Sequence, residues 1–126
     1  MKTVIAKAAK LPGIQINEAE HAWEISVQKQ NDLQFEIMVP REALEWFVTV
    51  KTGNALDEVW SDWVDYYETD GETADGLRSQ MTADVGHFLS ALLNSDVRLV
   101  ERPGESVGLE WKRDGHWEKL TMVPHQ

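Results

Sequence analysis

The sequence predicts an α+β fold: a mostly antiparallel sheet, with two or three N-terminal strands and three C-terminal strands, and two central helices packed on one face. Three observations carry that expectation. Apolar residues alternate with polar ones between His21 and Val39, they recur at helical spacing twice between Leu56 and Leu92, and alternation returns after Val97. Strands, helices and strands are thus segregated along the chain, as in α+β domains. The 126 residues fall in the size range of one domain, and no repeat, low-complexity tract or linker divides them, so 1–126 is expected to be a single unit.

Taken in order, residues 1–20 carry little pattern beyond the break at Pro12-Gly13 and a hint of a short strand at Ile14 and Ile16. His21–Lys29 is the first firm strand, with Trp23, Ile25 and Val27 on one face. Gln30-Asn31-Asp32 reads as a turn, and Leu33–Val39 returns with Leu33, Phe35, Ile37 and Val39 on one face, completing a hairpin. Pro40–Lys51 suits two readings. Leu44, Trp46, Val48 and Val50 have period two and favour a third strand; Phe47 spoils the alternation, and Arg41–Glu45 after Pro40 would also open a helix.

Leu56, Val59, Trp60, Trp63, Val64 and Tyr67 then mark an amphipathic helix with Asp57, Glu58, Asp62, Asp65 and Glu68 on its other side. An irregular strand is the alternative, because tryptophan and valine also suit strands. After the polar stretch Thr69–Gly76, a second helix carries Leu77, Met81, Val85, Phe88, Leu89 and Leu92. Strands follow at Val97–Arg102, Val107–Lys112 and His116–Val123, the last two joined by the favoured hairpin turn Asp114-Gly115.

Composition narrows the chemistry. The chain has no cysteine, which removes disulfides, thiolate zinc sites and cysteine nucleophiles and fits a reducing, cytoplasmic setting. Lys7 and Lys10 interrupt the apolar residues after Met1, so no secretory signal is expected, and no run is long enough to span a bilayer. The histidines His21, His87, His116 and His125 lack further ligands at metal spacing, although Asp84 stands three residues before His87 on the same helix. No nucleophile elbow, P-loop or dinucleotide fingerprint occurs. In the loop Asp70–Gly76, setting either glycine as the sixth position of a calcium loop places Tyr66 or Gly71 at the first, where an oxygen ligand belongs. No catalytic residue, metal site or cofactor is therefore nominated, and a non-enzymatic protein is expected.

Net charge is −10, from 22 acidic and 12 basic side chains. That disfavours a nucleic-acid backbone and an anionic membrane as partners and favours a basic protein. The charge is concentrated: no Lys or Arg occurs between Lys51 and Arg78, where eight acids lie, and the flanking segments are close to neutral. Such a run commonly serves solubility. Like charges this close repel, however, and a basic partner would relieve that cost.

The acidic α+β character and the block Glu58-Val59-Trp60-Ser61-Asp62-Trp63-Val64-Asp65-Tyr66-Tyr67 resemble, in general profile, the immunity proteins that accompany bacterial polymorphic toxins. The resemblance implies a protein that binds its cognate toxin domain and blocks its active site or substrate path. It carries no diagnostic motif, and no residue role is transferred from it. The charge distribution nominates Asp62, Asp65, Tyr66, Glu68, Asp70 and Glu72 as the surface for a basic partner such as a secreted toxin domain. The alternative is a small adaptor or regulatory domain that uses aromatics on its sheet, with Trp46 and Trp117 as the contacts.

Overall fold

The computed structural model describes residues 1–10, 13–29, 32–52, 57–67, 73–101, 103–104 and 107–123. Helix α1 spans Lys2–Ala9. Strands β1 (Ile14–Glu18), β2 (Ala22–Gln28), β3 (Leu33–Pro40), β4 (Glu45–Thr52) and β5 (Asp57–Asp65) follow, then helix α2 (Ala74–Asn94), then β6 (Val97–Val100), β7 (Gly108–Arg113) and β8 (His116–Lys119). The first five strands form one antiparallel sheet in the order β1-β2-β3-β4-β5, and the last three a second antiparallel sheet, β6-β7-β8.

The expected arrangement is corrected in three ways. Five strands precede α2 where two or three were expected, and the C-terminal strands form a sheet of their own instead of extending the first. The two central helices are replaced by one: the segment read as an amphipathic helix at 56–67 contains strand β5, and the other helix is the short N-terminal α1. The physical reason lies in β5 itself. Trp60 and Val64 lie on its helix-side face, opposite Val50 and Trp46 of β4, while Trp63 lies on the other face, opposite Phe47. A strand with apolar residues on both faces imitates the i, i+3, i+4 spacing of a helix.

Side-chain alternation builds the core. Trp23, Ile25 and Val27 of β2 stand opposite Val39, Ile37 and Phe35 of β3, and Ile37 and Phe35 in turn stand opposite Val48 and Val50 of β4. All are buried. Onto this face α2 lays Leu77, Met81, Val85, Phe88, Leu89 and Leu92, one stripe of a 3.6-residue period. Thr73 caps the helix, its Oγ1 accepting the Gly76 N–H at 3.0 Å. Val97, Leu109 and Trp111 of the small sheet join the same core from the other side, and Phe88 meets Trp46 edge-on at 5.5 Å and Trp111 at 5.9 Å. One α2 ring thus contacts a tryptophan from each sheet.

Polar contacts lock the connections. Arg78 of α2 donates to the carbonyls of Arg41 (2.7 Å) and Glu42 (2.6 Å), holding the β3–β4 connection against the helix. Arg41 donates to Ala19 O and pairs with Glu18 at 2.8 Å, its guanidinium 4.5 Å from the Trp23 ring centre. That pairing, first through the hydrogen bond and then through charge, holds the Glu18 carboxyl below its ordinary range. Asp114 and Gly115 both have positive φ (52° and 81°), the twist a two-residue hairpin turn requires. Among the described residues no helix is long and apolar enough to cross a membrane.

Candidate functional site

Strand alternation that buries one face of the large sheet presents the other. On that outer face the register aligns Asn17, Glu24, Met38, Phe47 and Trp63 as one row across all five strands. Met38 is 42% exposed and Trp63 60%, with half-buried Phe47 between them. Tyr67, 70% exposed, follows β5. Single exposed apolar residues are ordinary, but three in cross-strand contact form a patch of the kind found at interfaces.

Carboxylates surround the row. Glu24 stands beside Met38, Glu36 lies in the next row, and Glu45 and Asp65 face each other directly at the end of the β4–β5 ladder. Glu58 stands opposite Lys51, the one Lys or Arg on the five strands, and Lys51 is engaged by Glu36 at 3.2 Å. Like charges directly opposite, as Glu45 and Asp65 are, weaken a sheet. The Tyr67 hydroxyl donates to Asp65 at 2.7 Å, and that bond is the first cause of its raised pKa, followed by the Asp65 charge.

The nominated residues separate. Asp65 lies on the outer face, beside the apolar row. Asp62 is exposed on the helix-side face, opposite Val48, and its Oδ1 accepts the Trp63 N–H at 2.9 Å. Tyr66 is half-buried; its hydroxyl donates to Asp84 at 2.7 Å and accepts from Trp46 Nε1 at 3.1 Å. Burial first, and the Asp84 contact second, push its pKa well above the ordinary tyrosine value. Gln80 donates to the other Asp84 oxygen at 2.9 Å, so Asp84 is satisfied within the fold. Glu68, Asp70 and Glu72 lie outside the described residues.

Of the aromatics proposed for a sheet face, Trp46 is fully buried, and Trp117 lies on the small sheet beneath the Arg98 guanidinium, 4.2 Å from its ring centre. Met38, Phe47 and Trp63 escaped sequence reasoning as surface residues, although two signals were present. Phe47 interrupts an otherwise regular alternation, and Met38 occupies a polar position in the series Gln34, Glu36, Met38.

Elsewhere, a concavity of about 860 Å3 opens between the C-terminal half of α2 and the small sheet, lined by His87, Phe88, Trp111, Arg113, Glu118 and Met122 among others. The indole N–H of Trp111, 4% exposed, finds no partner there among the described residues. No group of three or more His, Asp or Glu side chains suited to a metal gathers among the described residues. No family model, curated protein or solved structure matches the chain.

Proposed function

We propose that this protein is a non-enzymatic binding domain that captures a basic protein through the outer face of its five-stranded sheet, in the manner of an immunity protein neutralising a toxin domain. The observation that carries the reading is the row Met38–Phe47–Trp63, exposed at Met38 and Trp63 and half-buried at Phe47, set among Glu24, Glu36, Glu45, Glu58 and Asp65 with one amine, Lys51, already paired. An apolar centre with a charged rim is the anatomy of a protein interface, and tryptophan is enriched among residues that dominate binding energy. The rim would steer a positively charged partner, and the centre would hold it. Enzymes that act on nucleic acid carry basic surfaces. An acidic domain seated on such a surface would cover the substrate path.

Of the described residues nominated from sequence, Asp65 alone belongs to this face; the apolar row beside it is a different set of residues from Trp46 and Trp117. The test is affinity capture from the native host with the wild-type chain and Trp63→Ser. One basic protein, released by salt and lost in Trp63→Ser, is the expected result; capture unchanged by Trp63→Ser would overturn the reading.

A further inference from the structure

We propose that the outward edge of β5 is where the partner engages: a basic extended segment adds to it as a sixth strand of the large sheet. This rests on the function proposed above and specifies the partner's contact. Among the described residues β5 pairs with β4 alone. The Tyr66 N–H donates to Leu44 O, and Val64 and Asp62 stand opposite Trp46 and Val48. In an antiparallel ladder the backbone groups of alternate residues point the same way, so Ser61, Trp63 and Asp65 direct their N–H and C=O groups to the free edge. The Trp63 N–H agrees independently, since its acceptor is the Asp62 carboxylate and not a carbonyl of β4.

Charge selects the occupant. Strand β5 carries Asp57, Glu58, Asp62 and Asp65 and no base. A second copy pairing antiparallel would set these acids against one another, which strand pairs disfavour. Acids on an edge thus exclude self-association while leaving the edge open to Lys and Arg. Asp62 makes the exclusion local: it occupies the Trp63 donor until an incoming carbonyl replaces it, and its carboxylate is then free to pair with a basic side chain. Residues of the added strand that flank Trp63 on the outer face would extend the row Met38–Phe47–Trp63. The matching segment therefore alternates basic and apolar residues.

The probe is a synthetic peptide of about eight alternating lysines and valines, an ordinary strand length, with alternating glutamate and valine as control. Amide hydrogen exchange of the full chain should slow by about tenfold or more at Ser61, Trp63 and Asp65 with the lysine peptide only, the scale of a gained ladder bond. N-methylation of alternate peptide residues keeps the charge and removes ladder donors; binding should weaken about tenfold or more. Ser61→Pro removes an outward donor at an edge position that tolerates proline and should have the same effect. Equal binding of the N-methylated peptide, or no protection at those three amides, overturns the strand addition. If native capture still depends on Trp63 in that case, face binding stands and only the edge is lost. If capture is indifferent to Trp63, the function proposed above fails instead.

Discussion

The Tyr66 hydroxyl donates to Asp84 Oδ2 at 2.7 Å, tying the residue that follows β5 to the middle of α2. Because Trp46 Nε1 donates to the same hydroxyl, one phenol joins β4, the end of β5 and the helix. Tyr66→Phe removes one of the two donors to a buried carboxylate, Gln80 being the other, and the acceptor of a buried indole. We expect a loss of about 1–3 kcal/mol in urea unfolding. The pH dependence follows from the raised pKa. The unfolded phenol ionises near 10.0 while the folded one keeps its proton, so this contribution is intact below that pH and declines above it. The alkaline limb of a stability–pH curve should be shallower in Tyr66→Phe.

Two buried tryptophans should respond differently to the same change. Trp46 donates a hydrogen bond, whereas the Trp111 N–H has no partner among the described residues. Trp46→Phe and Trp111→Phe remove similar volume, but only the first breaks a bond. Trp46→Phe should be the costlier by about 1 kcal/mol, read from paired denaturant titrations.

Trp63 should matter to binding and hardly to folding. Trp63→Ser is expected to leave stability within about 0.5 kcal/mol, as for other surface changes. Phe35→Ala, fully buried in β3, should cost about 3–5 kcal/mol. Binding of the captured partner should fall by about 2 kcal/mol or more in Trp63→Ser, measured by calorimetry.

The double variant Asp62→Asn, Asp65→Asn tests steering. Its association rate with the captured partner should fall several-fold at low ionic strength and converge with wild type at high salt. Stopped-flow mixing across a salt series reads this directly. Equal rates at low salt would remove these carboxylates from the encounter.

Arg78→Met should cost about 1–3 kcal/mol, because two charge-assisted bonds to backbone carbonyls disappear. The loss should be visible locally as faster amide exchange between Arg41 and Leu44.

Strands whose faces differ in polarity were legible in the sequence. The hairpin of β2 and β3 follows from strict alternation, the strand reading of Pro40–Lys51 matches β4, and the stripe from Leu77 to Leu92 marks α2. Edge strand β5 was not legible, because both of its faces carry apolar and acidic residues and its alternation dissolves. The same blindness affected the site. Asp65 was found through charge, whereas Met38 and Phe47 become a surface only when register aligns them with Trp63. Tyr66 was misplaced because its neighbours in sequence are acids, while its neighbour in space is a buried one on α2. Register and long-range pairing are properties of the folded chain, and local spacing carries little of them.

Every neighbour in the large sheet is also the neighbour in sequence. Each pairing therefore closes a short loop, and the strands can zip up in chain order without waiting for a distant segment. During synthesis this sets a timetable. All five strands leave the ribosome before α2, and at about 5–20 residues per second the helix follows seconds later. Through that interval the greasy side of the nascent sheet, from Ile25 to Val50, stands bare. The acids crowding its last strand then stand at the open edge of the half-built sheet, where they repel another copy.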